Sequence, residues 1–422
     1  MNDELAGAVL CPMPRHASRG YAWVYIQRLC AHLADAAAAR GRRTYVAYPR
    51  LDGPPAVLAG SAAVPVQANF YRRGAQAVAA QCRFLREHDV RTLYLSDVDT
   101  FDVRYAAWRA AGVQRIVAHS HGSGFAPPAR GWRRALKQLR AQAGWALPDV
   151  VVTVSDYVAA RERAAALTPP HRLRRVWNAV PLPDERQATE DRVAVRAALG
   201  IAPEATVIAM TSRAAHEKGV GDLIRAVDRV VAEAPERDVH LVFVGGGSDL
   251  DEFRALAASL PSRERLHLVG PQPSSAPYLA AADIVAAPSV YQEALGLAVL
   301  EGLTFALPVV GTTVGGIPEV VRDGQEGLLV PPSDPAVLAA ALLRLVRDPA
   351  WAAELGRAGR QRAAEHFDPA RMLATLSEIV LGADPPGPDP RRAGAANGDQ
   401  SANSGWRAAQ SSMAARGQST SP

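Results

Sequence analysis

Two series of short apolar runs, rich in β-branched residues, constrain the fold of this chain more than any other feature. Longer stretches rich in alanine and leucine separate the runs. Such alternation is typical of parallel sheets whose strands are buried by helices on both faces. It predicts an α/β protein of two doubly wound, Rossmann-like domains. The predicted strands are 6–11, 44–49, 92–96, 115–120 and 150–155 in the first series, and 206–212, 239–247, 266–270, 283–289, 308–312 and 327–331 in the second.

The length of 422 residues also suits two domains, because single cores stop growing at roughly 250–300 residues. A break between them is predicted at 178–192, which is rich in proline and charge. We expect a first domain over 1–180, a second over 181–366 and a last amphipathic helix within 367–383. The remainder, 384–422, is poor in apolar residues and is expected to be disordered.

The bulk composition indicates a globular protein. No apolar stretch approaches the ~20 residues that a membrane crossing needs. The chain starts with the acidic segment "MNDEL", which does not fit a signal peptide. Cys11, Cys30 and Cys82 match no metal-binding spacing, so we expect reduced cysteines and a cytoplasmic protein.

The net charge of +5 and the pI of about 9.3 come from basic residues scattered along the chain. Without a basic cluster or a recognition motif, a nucleic-acid partner is not expected. Nearly all the cations are arginines, and lysine occurs only at Lys137 and Lys218. A lysine retained in such a chain points to a position that needs a compact ammonium group.

Ligands of open α/β sheets bind beyond the carboxyl ends of the strands, so the loops there are candidate sites. In the second domain, Arg213 and Lys218 precede a helix expected to begin near Gly219. Two cations at a helix N-terminus suit a diphosphate, although two solvated surface cations are the alternative. Gly245 begins a three-glycine turn, which either allows close approach of a ligand or serves packing only.

Two carboxylates flank the apolar run within 292–302. Glu293 is expected in a loop, and Glu301 about one and a half turns inside the next helix. They are interpreted as two contacts with one polar ligand, or else as a helix-end carboxylate and an exposed helix residue. Gly315 and Gly316 follow the next strand. They are either a backbone wall beside a bound sugar or an ordinary strand-to-helix turn.

In the first domain, His119 and His121 follow a predicted strand at its ligand-facing end. Structural and functional roles are equally open for them, and no nearby carboxylate or cysteine completes a metal site. Asp97 and Asp99 form a D-x-D pair that could hold a divalent cation, which is the least favoured of these interpretations.

The second half resembles, in order and spacing, the retaining glycosyltransferases of family four. The resemblance covers about 206–350 and is carried by "SRAAHEKG", "LVFVGGGSD", "ADIVAAPSVYQEALGLAVLEGL" and "PVVGTTVGGIPEVVRDGQEGLLVPPSDPAVLAAAL". In the first half, "GVQRIVAHSHGSG" and "VVVTVSDYV" are similar as well. The histidine stretch is most similar to members that build exopolysaccharide or capsule.

This resemblance implies a GT-B fold, in which the final helix crosses back to the first domain. It implies transfer of a sugar from a nucleotide-sugar donor with retained anomeric configuration, without a metal or other cofactor. Arg213 and Lys218 would hold the diphosphate and stabilise the leaving group. Glu293 would bind hydroxyls of the donor sugar, and Glu301 would bind the ribose.

The resemblance also implies contacts through the backbone and from the first domain. His119 or His121, left undecided, would line the other face of the sugar. The family often has glycine and phenylalanine where Ala294 and Leu295 stand, so an altered sugar preference is expected. Paired glycines are also common where Gly20 stands alone. The residues expected to line the donor are Gly20, Gly245, Leu295, Gly296, Leu297, Gly315 and Gly316, with the N–H groups of 295–297 meeting sugar and phosphate.

The expected acceptor is a lipid-linked sugar or an oligosaccharide. The basic segment 131–147 is interpreted first as a solvated helix that covers the sheet. Alternatively it lies on anionic lipid at the inner face of the membrane. Surface polysaccharide or glycoconjugate assembly is the expected role. A natural-product glycosyltransferase and a catalytically silent nucleotide-sugar-binding subunit are the alternatives.

Overall fold

The computed structural model describes residues 7–14, 21–122 and 131–382. In these ranges the strands form two sheets, and all pairings within the sheets are parallel. The first sheet contains β1 (Ala8–Pro12), β2 (Thr44–Tyr48), β3 (Ala63–Gln67), β4 (Val90–Ser96), β5 (Arg115–Ser120), β6 (Val150–Thr153) and β7 (Leu173–Arg175). The second contains β8 (Thr206–Thr211), β9 (Val239–Val244), β10 (Leu266–Gly270), β11 (Ile284–Ala287), β12 (Val309–Thr312) and β13 (Gly327–Val330). The predicted pair of parallel sheets is thereby confirmed.

The helices connect these strands. They are α1 (Tyr21–Ala38), α2 (Ala75–Glu87), α3 (Arg104–Ala110), α4 (Gly131–Gln142), α5 (Asp156–Arg161), α6 (Glu185–Leu199), α7 (Val220–Glu233), α8 (Leu250–Ala258), α9 (Ala276–Ala281), α10 (Leu297–Thr304), α11 (Ile317–Val320), α12 (Pro335–Arg347), α13 (Pro349–His366) and α14 (Pro369–Leu381). Single 3₁₀ turns occur at Ala56–Leu58, Gly144–Ala146, Pro170–Arg172, His216–Lys218 and Arg263–Arg265, and a π-helical turn at Glu162–Ala166.

The strand orders are β3-β2-β1-β4-β5-β6-β7 and β10-β9-β8-β11-β12-β13. In each sheet, successive strands first run to one side, and the chain then returns to continue on the other side of the first strand. Such a reversal opens a crevice at the carboxyl ends of the strands, where ligands of this architecture bind. The crevice of the first sheet lies at the ends of β1 and β4, with the loop after β5 next to it, and that of the second lies at the ends of β8 and β11.

Apolar side chains hold each sheet between its helices. In the second sheet, Leu223 and Val227 of α7 pack with Leu241 and Phe243 of β9, and all four are fully buried. The continuous apolar runs of the strands follow from burial on both faces. A rigid double layer of this kind holds the loops at its edge in place.

The last helix, α14, belongs to the core of the first sheet. Its Leu376 and Ile379 pack in one cluster with Val9 of β1 and Val46 of β2. The carbonyl of Ile379 also accepts a hydrogen bond from Arg115 Nε at 2.9 Å. The chain therefore returns to its first sheet after completing the second.

The predicted break at 178–192 contains the start of a helix. α6 begins at Glu185, and Asp184 Oδ1 caps it by accepting the N–H of Gln187 at 2.8 Å. The position of the break stays a prediction. One sequence interpretation needs correction. Helix α4, the first part of the basic segment 131–147, does not cover the sheet, because none of its described side chains is buried. The predicted disordered tail, 384–422, lies outside the described residues. Among the described helices, none has the length and apolar character that a membrane crossing needs.

Candidate active site

Two loops of the second sheet pack tightly at the carboxyl ends of β8 and β11. The carbonyl of Glu217 accepts the N–H groups of Val290 and Tyr291 at 3.0 and 3.2 Å. Gly219 adopts φ +73°, and a Cβ there would lie 2.0 Å from the carbonyl oxygen of Pro288. Only glycine allows this approach, which brings the end of the first loop beside the second.

The approach places Lys218 against Glu293. The Lys218 ammonium lies 2.6 Å from Glu293 Oε1, and the two side chains are 18% and 16% exposed. Ser289 Oγ donates a hydrogen bond to the same oxygen at 2.6 Å. Lys218 and Glu293 thus form one partly shielded polar group at the crevice, with the carboxylate fixed by two donors.

The glycine pair after β12 holds Glu293 from the other side. Gly316 N–H donates to the Glu293 carbonyl at 2.9 Å, and Gly315 N–H donates to Gln292 Oε1 at 2.7 Å. A Cβ on Gly315, which has φ +58°, would lie 2.0 Å from the Glu293 carbonyl oxygen. A Cβ on Gly316 would lie 2.5 Å from the Ala294 carbonyl oxygen. These glycines are required because their backbone packs directly on the loop that carries Glu293.

Helix α10 begins immediately after this loop. Gly296 precedes it at φ +93° and supplies no side-chain cap, so the N–H groups of Leu297 and the following residues face outward from the helix N-terminus. Leu295 is buried beneath them. Such an end carries a partial positive charge that suits an anion.

Glu301 lies one turn into α10 and is 6% exposed, so the interpretation of it as an exposed helix residue is wrong. Ser275 Oγ donates to its Oε2 at 3.2 Å. Burial raises the pKa of the Glu301 carboxyl to about 7. Carboxyls whose pKa is raised by burial are frequent at functional sites, which agrees with the predicted ligand contact of Glu301.

Other residues predicted to contact the donor are less closely assembled. Arg213 is 67% exposed and forms an ion pair with Glu217. A Cβ on Gly245 would lie 1.7 Å from the carbonyl oxygen of Ser212, so loop packing alone accounts for this glycine. Gly20 lies outside the described residues. The donor contacts of these three residues stay predictions.

The two histidines lie together at the carboxyl end of β5. His119 is 1% exposed, and its Nδ1 is 2.6 Å from the hydroxyl of Tyr94. His121 lies just beyond the strand, is half-buried, and has its ring centroid 4.0 Å from that of His119. Within the described residues, the Nε2 atoms of both rings are buried and have no hydrogen-bond partner.

Burial lowers the pKa of both histidines. The neighbouring His121 adds to the effect on His119, whereas the Asp97 carboxylate opposes it for His121. Both rings are therefore neutral at physiological pH, and each can donate or accept through Nε2.

The two carboxylates of the D-x-D pair serve different partners. Asp97 Oδ1 accepts the backbone N–H of His121 at 2.8 Å, whereas Asp99 pairs with Arg73 at 3.1 Å. In the ranges that the structure describes, no three His, Cys, Asp or Glu side chains converge as metal ligands. The two carboxylates thus have different partners, and both the D-x-D interpretation and catalysis without a metal stay predictions.

Glu319 lies in the first turn of α11, is not among the site residues predicted from the sequence, and joins the two sheets. Its carboxylate accepts the N–H groups of Asp156 and Tyr157, at 2.8 and 2.7 Å, and Trp177 Nε1–H at 3.1 Å. Burial raises the pKa of this carboxyl, and the three donors oppose the shift. The free N–H groups at the Ser-Asp start of α5 need an acceptor, and this is the signal in the sequence that could have indicated such a partner.

Ser155 makes a second contact between the halves. Its Oγ donates to the carbonyl of Ala294 at 2.5 Å, and it also accepts the N–H of Val158 at the start of α5. The loop that carries Glu293 is therefore held by its own sheet through the glycine pair and by the other sheet through Ser155.

Comparison with known proteins places this arrangement in a family. A family model described as Glycosyl transferases group 1 matches residues 205–348. A GDP-mannose-dependent alpha-(1-6)-phosphatidylinositol monomannoside mannosyltransferase of Mycolicibacterium smegmatis is 31% identical over 320 residues, which are 71% of this chain and 78% of that protein. A D-inositol 3-phosphate glycosyltransferase of Corynebacterium efficiens is 34% identical over 229 residues, or 51% of this chain and 52% of that protein.

Solved structures show the same fold at lower identity. A glycosyltransferase from Rickettsia africae matches with a TM-score of 0.73 and 15% identity, covering 89% of this chain and 99% of that chain. Anabaena HepE, solved with UDP and glucose, matches with a TM-score of 0.69 and 20% identity, covering 88% and 99%. The GT-B fold is thereby confirmed. Because the match to the mannosyltransferase spans most of both proteins, and the family model falls on the half with the Lys218–Glu293 pair, this chain is a glycosyltransferase of group 1 with the GT-B fold.

Proposed function

We propose that this protein is a retaining, metal-independent glycosyltransferase that transfers a sugar from a nucleotide-sugar donor during the assembly of a cell-surface polysaccharide or glycoconjugate. The contact between Lys218 and Glu293 carries the proposal, because it joins a cation suited to a diphosphate with a carboxylate suited to sugar hydroxyls. The names of relatives support the donor class. One uses GDP-mannose, and another was solved with UDP and glucose.

Lys218 and the N-terminus of α10 form the diphosphate end of the proposed site. When the bond between sugar and diphosphate breaks, negative charge grows on the leaving phosphate. A fixed ammonium and outward N–H groups stabilise that charge more in the transition state than in the bound donor. Arg213 reaches the same phosphates after releasing Glu217.

Glu293 and His121 are proposed to hold the transferred sugar from opposite sides. The Glu293 carboxylate accepts hydrogen bonds from sugar hydroxyls. His121 is chosen over His119 because it lies beyond the strand and is half-buried, whereas His119 is buried with Nδ1 bound to Tyr94. His119 then positions His121 through the ring contact.

Glu301 is proposed to accept hydrogen bonds from the two ribose hydroxyls, which requires its ionised form. Because its pKa is about 7, donor affinity should fall about tenfold for each pH unit below pH 7. Nucleotide affinity, measured by calorimetry between pH 5.5 and 8.5, checks this dependence. Glu301→Gln should bind about tenfold more weakly at pH 8 and lose the pH dependence.

The stability of the donor-free protein should show the opposite trend. In the unfolded chain the carboxyl has its ordinary pKa of 4.5, so raising the pH through 7 ionises it at a cost in the folded state. The Glu301→Gln protein should therefore be more stable than wild type at pH 8, by about 3 kcal/mol, and equally stable at pH 4. A variant that unfolds more readily at pH 8 would contradict the burial argument.

For the acceptor, we propose a lipid-linked sugar at an anionic membrane surface. Helix α4 exposes Trp132 and Leu139, which are 72% and 66% exposed, beside the cations Arg134, Lys137 and Arg140. Apolar side chains flanked by cations favour the boundary between lipid headgroups and acyl chains. A helix that covers no core is free to make this contact.

The full-length protein should float with vesicles of phosphatidylcholine that contain phosphatidylglycerol, and less with phosphatidylcholine alone. Leu139→Glu places a charge in the apolar face and should lower the floated fraction at least about fivefold. Val193→Glu, an exposed apolar position on α6, is the matched control. Equal flotation of all three proteins would exclude α4 as the contact.

The proposed reaction is tested with a panel of nucleotide sugars. A donor should raise the melting temperature by mass action, and its hydrolysis or transfer should persist in EDTA. The product should keep the anomeric configuration of the donor by NMR. Loss of activity with EDTA would contradict metal independence, and no shift with any nucleotide sugar would contradict the donor site.

A further inference from the structure

A cavity of about 590 Å³ lies in the first domain, and none of the described residues that line it is predicted to contact the donor. The loops after β3 and β4 form one side of it, and α4 forms the other. The described residues that line it fall between Arg73 and Ala166, and none of them belongs to the second sheet. Its volume is in the range of small-molecule sites, which is ~300–1,000 Å³.

The cavity is more basic than acidic. Its charged lining in the described residues consists of four cations and two carboxylates, namely Arg73, Arg104, Lys137, Arg140, Asp99 and Asp102. Arg104 and Asp102 form a buried bidentate pair, and Arg104 also donates to the Phe70 carbonyl at 2.7 Å. The two charges neutralise each other, and the pair forms part of the cavity wall.

The two cations of α4 have partners other than carboxylates in the described residues. Lys137 and Arg140 are three residues apart on α4, so they share one face of the helix. Lys137 Nζ donates to the carbonyl of Ala165 at 2.5 Å, and the Arg140 guanidinium lies 5.2 Å from the ring centroid of Phe101. Within the described chain, neither is paired with a carboxylate. The exposed pair of Arg73 and Asp99 separates at little cost.

We infer that this cavity binds a phosphate group carried by the acceptor. An arginine stacked on a ring keeps its planar fork ready for two phosphate oxygens, and a nearby lysine adds a point charge. The volume exceeds that of phosphate alone, which leaves room for the attached sugar or polyol. This inference rests on the proposed transfer function, because it names the class of acceptor.

The loop after β4 connects the cavity to the candidate sugar site. Asp99 lines the cavity, and two residues earlier Asp97 accepts the N–H of His121. An acceptor anchored there by its phosphate would direct a hydroxyl towards the histidines. The phosphate itself comes either from a soluble sugar phosphate or from a lipid headgroup beside α4.

The test uses the full-length protein at low ionic strength, with glucose 6-phosphate, glucose and inorganic phosphate as probes in calorimetry. Glucose 6-phosphate should bind, and glucose should not. Lys137→Gln with Arg140→Gln should weaken glucose 6-phosphate binding at least about tenfold. Arg83→Gln removes an exposed arginine of α2 and should change binding less than twofold. No binding of glucose 6-phosphate, or equal losses in the double variant and in Arg83→Gln, would overturn the inference.

Vesicles distinguish the two phosphate sources. If a lipid headgroup occupies the cavity, glucose 6-phosphate should displace the protein from phosphatidic acid vesicles, and the double variant should show no such displacement. If the ligand is soluble, glucose 6-phosphate should bind without displacing the protein. Donor binding is measured in the same samples. If the wild-type protein binds the donor but not glucose 6-phosphate, the inference about the cavity is wrong and the proposed function still holds. If the wild-type protein does not bind the donor, the proposed function is wrong.

Discussion

Replacing Lys218 by alanine should lower kcat by about 10²–10³-fold, which is the usual effect of removing one fixed group that stabilises developing charge. Lys218 is held at 2.6 Å from Glu293 and is only 18% exposed, so its charge is less screened than that of a surface cation. The loss should be in kcat more than in KM, because the charge on the leaving diphosphate develops in the transition state. Steady-state kinetics with the donor identified by the panel checks this.

Arg213→Ala is the matched control, since Arg213 lies in the same loop but is 67% exposed and paired with Glu217. Arg213→Ala should lower kcat less than Lys218→Ala does. Lys218→Arg should recover only part of the activity, because a planar fork does not fit the space of an ammonium. If kcat of Lys218→Ala is within threefold of wild type, the pair does not serve the leaving group.

Glu293→Gln should also lower kcat by about 10²-fold or more, with little change in donor affinity. The amide keeps the size of the side chain but removes the charge that binds Lys218 and the sugar hydroxyls. The Ser289 hydroxyl, which donates to Glu293 at 2.6 Å, keeps a partner. Single-turnover rates and nucleotide affinity, measured separately, distinguish slower transfer from weaker binding.

A variant that combines Lys218→Ala with Glu293→Gln tests whether the two residues act together. Its kcat should fall much less than the product of the two single reductions, since each single change already breaks the contact. Glu217→Gln removes the carboxylate next to Lys218 in the same loop and should lower kcat little. Fully additive effects would mean that Lys218 and Glu293 bind different parts of the donor independently.

The sheets could be predicted from the sequence because burial on both faces makes a strand apolar along its whole length. Strands β3 and β7 were missed, and both lie at the edge of the first sheet. β3 contains Pro65 and exposes Val64, and β7 reads Leu-Arg-Arg. Edge strands pair on one side and tolerate proline and charge, so they lack the apolar signal.

The candidate site was predictable as a set of loops, but not as a set of contacts. The positions of Arg213, Lys218, Glu293 and Glu301 followed from the rule that ligands bind beyond strand ends, and from the family resemblance. Glu319 was missed because its partners, Asp156, Tyr157 and Trp177, are more than 140 residues away. The sequence around Glu319 does not distinguish this carboxylate from one that only complements the positive end of a helix dipole.

By itself, the sequence determined two parallel sheets, the loops that carry polar residues and the glycines those loops need. Each of these follows from local apolar pattern and local backbone freedom. Only the tertiary structure decided that Lys218 contacts Glu293, that Glu301 is buried and that α4 leaves its apolar side chains exposed. Contacts across 75 residues and the burial of one carboxyl depend on how elements pack in space, and packing is set by the whole fold.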